Sequence, residues 1–167
     1  MNRLLIFGAG QYGRLAKEIA EAMNCFSQID FLDDKDSSAI GKLDEYKSFC
    51  TSYDCAVVAI GRPDIRRWYL DSIKDDIKVI SLIHPKSVIS PSARIGEGCI
   101  VEPLAVVQTA ANIGRGCFIS SGAVIRHNAI IGDCVHCDCN SYVLSEQVIP
   151  SNSKIKAYSG SGVISNF

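Results

Sequence analysis

From Ile83 onward, apolar residues recur at every sixth position: Ile83, Ile89, Ile95, Val101, Val107, Ile113, Ile119, Ile125, Ile131, Cys137, Val143, Ile149 and Ile155. Four residues after each stands a second register: Ser87, Ala93, Cys99, Ala105, Ala111, Cys117, Ala123, Ala129, Val135, Ser141, Gln147, Ser153 and Ser159. Only Val135 and Gln147 in it are not Ala, Ser or Cys. Two registers held in phase over thirteen hexads mark a repeat architecture. Each hexad supplies one short flat strand and one corner, and three hexads close a triangular coil. The large residue fills the axis, the small one fits where the chain turns tightly, and stacked coils bury a column of Ile and Val. Roughly four coils are expected, with a loop or an irregular corner at Gln147.

Before the hexads the pattern alternates between strands and helices. Arg3 to Phe7 reads as a buried strand. Gln11 to Met23, with Leu15, Ile19, Ala20 and Met23 on one stripe, reads as an amphipathic helix. Ile29–Leu32, Ala56–Ile60 and Val79–Ile83 are further strands, Asp33 to Ser38 is a polar loop, and Asp64 to Ile73 a second helix. This alternation predicts a small parallel sheet. The fold class is therefore α/β plus all-β: a Rossmann-like sheet over residues 1–82, then a parallel β-helix of hexapeptide repeats over 83–167.

Net charge is -1 over 167 residues, which offers no reason to expect nucleic acid or an acidic membrane surface as a partner. No apolar run approaches the ~20 residues that span a bilayer, and the run Leu4 to Phe7 is too short for a signal peptide. A cytoplasmic location is expected, with the eight cysteines reduced.

Gly8-Ala9-Gly10-Gln11-Tyr12-Gly13 fits GxGxxG between a strand and a helix, a setting in which backbone amides and the helix N-terminus bind phosphate. Asp33, some twenty residues on, ends the second strand, where an acid meets a ribose. A tight turn with no ligand is the alternative. A nicotinamide dinucleotide needs two mononucleotide halves, and the hexads leave room for one, so a nucleotide-sugar diphosphate fits better. Gly61 closes the third strand at the same edge.

His127 and His136 both fall at outward positions of their hexads. A lone outward His is ordinarily a solvated side chain, and only a second β-helix alongside would bury it. The two lie nine residues apart, half a coil, and so on different faces. If both serve one site, they come from different subunits, which requires an oligomer. An imidazole titrating near neutral pH suits proton abstraction from an amine or hydroxyl.

Three segments together resemble a known family: Gly8-Ala9-Gly10 with its helix, Phe31-Leu32-Asp33-Asp34, and Val124 to His127 through Ile131 to His136. They are similar to the sugar O- and N-acyltransferases that include sialic-acid O-acetyltransferase and the UDP-4-amino-sugar N-acetyltransferase of bacillosamine synthesis. The resemblance covers nearly the whole chain and implies a left-handed β-helix, a homotrimer, and acetyl-CoA as co-substrate, held between neighbouring β-helices, with no metal. It implies His127 as general base and His136 as an acyl-donor contact. It assigns Gly8, Gly10, Gln11 and Tyr12 to the nucleotide-sugar phosphates, and Asp33 and Asp34 to the base. The freed nucleophile would attack the thioester carbonyl with backbone N–H groups at the oxyanion; no Ser or Cys is evident as a covalent nucleophile, so direct transfer is expected. The chain departs from the family at Asn128, where an acid is common, at Gln11-Tyr12, where Gly-His is common, and in a shorter C-terminal helix.

Other readings are weaker. Cys134 to Cys139 suggests zinc, but Cys137 takes an inward core position and no second ligand pair has metal spacing. A β-helix carbonic anhydrase needs three zinc histidines, and His84 lies between the two halves. A non-catalytic nucleotide-sugar-binding or scaffold trimer is the main rival.

Overall fold

Leu4, Leu5, Ile6 and Phe7 are all fully buried, which a strand achieves only when both its faces are covered. They end β1 (Asn2–Phe7), the middle strand of a parallel sheet ordered β2–β1–β3, with β2 at Phe26–Leu32 and β3 at Cys55–Val58. Leu4 and Ile6 pack on Ala16, Ile19 and Ala20 of α1 (Gln11–Met23). Leu5 and Phe7 pack on Tyr46 of α2 (Tyr46–Cys50) and on Leu70 and Ile73 of α3 (Pro63–Ile73). The computed structural model describes residues 2–161 and 164–166, so the expected extension of the second unit to residue 167 reaches past them at 162, 163 and 167.

Two sequence expectations change here. The five-residue α2 carries too short a stripe for periodicity to reveal it. Val79 does not open a fourth strand: it makes a single bridge with Ala56, which donates to the Lys78 carbonyl and accepts the Ile80 N–H, and the chain then leaves the sheet, where Leu82 N–H donates to the Cys99 carbonyl at 2.8 Å.

Leu82–Ile83 is thus the first strand of a left-handed parallel β-helix. From coil to coil the strands pair parallel at a spacing of eighteen residues, as in Leu82↔Ile100 and Val88↔Val106. One face stacks Leu82–Ile83, Ile100–Val101, Phe118–Ile119, His136–Cys137 and Ser153–Ile155, with Ile164–Asn166 antiparallel at its end. A second face begins at Val88–Ile89 and a third at Arg94–Ile95. The inward residues of both sequence registers form one buried column. The corners show why six is the repeat: Gly98, Leu104, Ala110, Gly116, Gly122, Asn128, Cys134, Asn140, Glu146, Asn152 and Tyr158 all have positive φ. Gly and Asn tolerate this; each other residue there carries about 1 kcal/mol of strain. No loop interrupts the coil at Gln147; its side chain accepts the Ser161 hydroxyl, and the strands run on at Val148–Ile149.

The two units share their cores. The outward residues of the first face, Leu82, Ile100 and Phe118, are buried with α1, and Cys134 is buried with α3. Outward residues on the other faces stay open, including Val88, Ile130, Tyr142 and Val148.

Candidate functional site

The glycine loop is shaped by two close approaches. Gly8 has φ of +99°, and a Cβ on Gly13 would lie 2.0 Å from the Gly8 carbonyl oxygen, so neither position accepts a side chain without moving the turn. α1 starts at Gly10 with no side-chain cap and no acid in its first turn, leaving the positive end of the helix for an anion. Beside it lies a cavity of about 360 Å³ lined by Gly8, Asp33, Asp34, Lys35, Leu43, Ile60, Ile65 and Tyr69.

Asp33 is heavily engaged. Its Oδ2 accepts the Ala9 N–H at 2.8 Å, and its Oδ1 accepts those of Lys35 and Asp36 at 2.9 and 3.0 Å. Partial burial pushes its pKa up, but these N–H groups outweigh it and hold the carboxyl below its usual value. It therefore fixes the glycine loop to the end of β2. Asp34 accepts the Leu43 N–H at 3.1 Å and pins the far wall.

Of the other expected residues, Gln11 is exposed, and neither it, Gly10, Tyr12 nor Gly61 lines that cavity. Tyr12 turns towards the β-helix, 5.0 Å from the Phe118 ring and 5.7 Å from His136. A Cβ on Gly61 would press on the Tyr12 ring at 3.1 Å, so Gly61 makes room for this packing.

His136 is a correction to the sequence expectation. It does point away from the β-helix axis, but its own chain covers it: Tyr12 and Phe118 pack edge-on against it, and it is 3 % exposed. Its Nε2 lies 3.1 Å from Ser120 Oγ. Desolvation, with the charges of Lys154 and Arg66 and against that of Asp138, lowers its pKa to about 4, so it is neutral at pH 7. No second β-helix is needed to bury it.

Arg66 went unnoticed in the sequence. It is fully buried beside this cluster, where it donates to the carbonyls of Ile60, Gly61, Gly116 and Cys134 and lies 4.1 Å over the Phe118 ring. A signal existed: Arg66, Leu70 and Ile73 share one helical stripe, and an Arg inside an apolar stripe needs acceptors.

His127 occupies a different place, on the corner after Val124–Ile125, at the edge of an open cavity of about 430 Å³. Val88, Val106 and Val107 give that cavity an apolar floor, and Ser90, Gln108, Thr109 and Asn128 its polar rim. Gln108 Oε1 accepts the His127 N–H at 3.2 Å. The Asn128 amide nitrogen lies 3.1 Å from His127 Nδ1, and Ser145 Oγ lies 2.9 Å from Nε2. Ser145 is the equivalent of His127 one coil on, a spacing the sequence contained. No residue lines both this cavity and that of the glycine loop, so one chain does not unite them.

Cys137 lies in the core column, and Cys134 points out of that column and is covered by α3. Among the described residues no group of three or more His, Cys, Asp or Glu could hold a metal, and no helix is long and apolar enough to cross a membrane.

Residues 3–73 match the PglD N-terminal domain. The acetyltransferase domain of PglB from Neisseria gonorrhoeae FA1090 superposes with a TM-score of 0.86 over 96% of this chain and 91% of that one, at 24% identity. PerB from Caulobacter crescentus, solved with CoA and GDP-perosamine, superposes with a TM-score of 0.77 over 100% of this chain and 91% of that one, at 19% identity. The chain has the fold of the hexapeptide-repeat sugar N-acetyltransferases. WeeI from Acinetobacter baumannii AYE is more distant, with a TM-score of 0.57 and 13% identity over 93% of this chain and 97% of that one. A PglD-type N-terminal domain followed by a left-handed β-helix is the arrangement that the sequence resemblance implied.

Proposed function

We propose that this chain is an acyl-CoA-dependent transferase that moves an acetyl group onto an amine or hydroxyl of a nucleotide-linked sugar. The observation that carries the reading is the setting of His127: an imidazole at the rim of an open cavity, with both ring nitrogens held by neutral partners. The structural neighbours add weight, since PerB was solved with CoA and GDP-perosamine and PglB with acetyl coenzyme A. Residues 1–82 hold the nucleotide at the glycine loop, and residues 83–167 carry the acyl-transfer site. Gly8, Gly10 and the first-turn amides of Gln11 and Tyr12 receive phosphate, Asp33 keeps the loop in place, and Asp34 borders the base.

In the mechanism, His127 takes a proton from the acceptor as its lone pair attacks the thioester carbonyl. The carbon–sulfur bond breaks, and the thiolate leaves with the proton from the imidazolium, so transfer is direct. His127 lines a cavity that shares no residue with the glycine-loop cavity of its own chain, so the acceptor reaches it from a neighbouring copy. The open apolar residues Val88, Ile130, Tyr142 and Val148 supply the surface for that copy in a cytoplasmic homotrimer. Neutral, buried His136 steadies the junction between the two units.

The test is thiol release from acetyl-CoA across a panel of UDP- and GDP-linked amino-sugars, with His127→Ala alongside. Acceptor-dependent release by wild type and its loss in His127→Ala is expected. Bound nucleotide sugar without turnover would favour a binding trimer, and full activity in His127→Ala would remove the base.

A further inference from the structure

His127 has no free ring nitrogen. Asn128 Nδ2 stands 3.1 Å from Nδ1 and Ser145 Oγ 2.9 Å from Nε2. A neutral imidazole carries one proton and one lone pair, so each partner fixes which nitrogen holds which. With the Asn128 amide nitrogen towards Nδ1, the proton sits on Nε2 and the ring's lone pair faces an amide. With the amide rotated end for end, Nδ1–H donates to Oδ1 and the Nε2 lone pair faces the Ser145 hydroxyl. Only the second arrangement can accept a proton through a partner. An amide neither gives up nor takes a proton near neutral pH, whereas a hydroxyl can accept one hydrogen bond while donating another.

We propose that Ser145 is the proton relay between the acceptor and His127. The inference rests on His127 being the base of the proposed transfer. As the acceptor nitrogen or oxygen bonds to the thioester carbon, its proton passes to Ser145 Oγ, and the hydroxyl proton of Ser145 passes to His127 Nε2. The carbon–sulfur bond then breaks, and the thiolate takes a proton back from the imidazolium. Ser145 ends as it began, and no acyl group is attached to it. Asn128 acts as a positioning residue: with its amide turned end for end, Oδ1 accepts from Nδ1–H and the lone pair stays on Nε2. The coil geometry supports the arrangement: Glu146 N–H donates to the His127 carbonyl at 3.1 Å, so the backbones that carry the two side chains are tied to each other.

The experiment compares wild type, Ser145→Ala and Ser145→Thr with acetyl-CoA and the amino-sugar panel, in water, in heavy water and in mixtures of the two. Ser145→Ala should lose about ten- to a hundredfold in kcat with little change in KM. Its rate should depend on one proton in flight where wild type depends on two, and Ser145→Thr should restore both rate and isotope dependence. Unchanged kcat and isotope dependence in Ser145→Ala overturn the relay while leaving His127 as base. An acetyl adduct on Ser145, seen by mass spectrometry after mixing with acetyl-CoA, overturns it in favour of a covalent nucleophile. Wild type that transfers nothing to any acceptor overturns the functional reading and the relay with it.

Discussion

Arg66 on α3 reaches into the β-helix and donates to the Cys134 carbonyl at 3.0 Å, across 68 residues of sequence. The same guanidinium holds Gly116 at 2.8 Å and the turn after β3 through Ile60 and Gly61, so one side chain fastens the edge of the three-stranded sheet to two coils. Among the described residues no carboxylate pairs with it. Carbonyl dipoles and the Phe118 face take that role, and burial nonetheless pulls its pKa down. Replacing it by Ala empties a large buried volume and orphans several carbonyls. Arg66→Ala should destabilise the chain by about 3–5 kcal/mol, and Arg66→Lys, which lacks the planar fork, by a large part of that. Urea titration reads this directly. Because the cores are shared, wild type should unfold in a single transition, and Arg66→Ala should separate loss of the sheet from loss of the β-helix.

His136 makes stability fall in acid. Burial lowers its pKa from 6.5 to about 4 in the folded chain, so the unfolded chain binds the proton more readily. Its penalty is absent above pH 6.5, grows as pH falls, and is complete near pH 4, where it reaches about 3 kcal/mol. Denaturant titrations at pH 7 and pH 4.5 should show this loss in wild type and a smaller one in His136→Gln. Equal losses in both would mean that another group carries the effect.

The sequence was most legible where structure repeats. A hexad register needs no knowledge of what lies opposite, because each coil is covered by the next, and so the core column from Val101 to Ile155 was readable residue by residue. The outward placement of His127 was equally readable, since its corner faces open space. His136 occupies the same kind of outward position, yet its environment depends on α1 docking against that face, and nothing in a hexad encodes which face is covered. The Tyr12 side chain was illegible for the same reason: the glycine motif does not say where its ring points, and docking turned it onto Phe118. Asn128 is partly a matter of fold, because its φ of 59° is one that Asn tolerates well.

Gly13 is a packing glycine whose replacement should act on the proposed nucleotide cavity. A methyl group there would lie 2.0 Å from the Gly8 carbonyl oxygen and 2.8 Å from its carbon, and both are backbone. Gly13→Ala must therefore push α1 away from β1 and open the glycine loop. Nucleotide-sugar affinity, measured by calorimetry, should drop at least about tenfold, a loss of some 1.4 kcal/mol. Gly10→Ala is the control: no atom lies within 4 Å of the added carbon, and its φ of -68° suits any residue. It should fold normally, so a comparable loss of affinity there would point to a ligand needing the space above Gly10.

Asn128→Asp puts a carboxylate against His127 without disturbing the corner, since Asp also tolerates positive φ. At 3.1 Å from Nδ1, a negative charge favours the imidazolium over the neutral ring. The acidic limb of the kcat profile follows the protonation of the base in the bound complex, so it should move to higher pH. Above that limb, the stronger base should transfer at least as fast as wild type. Asn128→Gly keeps the backbone geometry but removes the partner of Nδ1; it should leave the limb in place and lower kcat. An unshifted limb in Asn128→Asp would mean that the titrating base of the reaction is not His127.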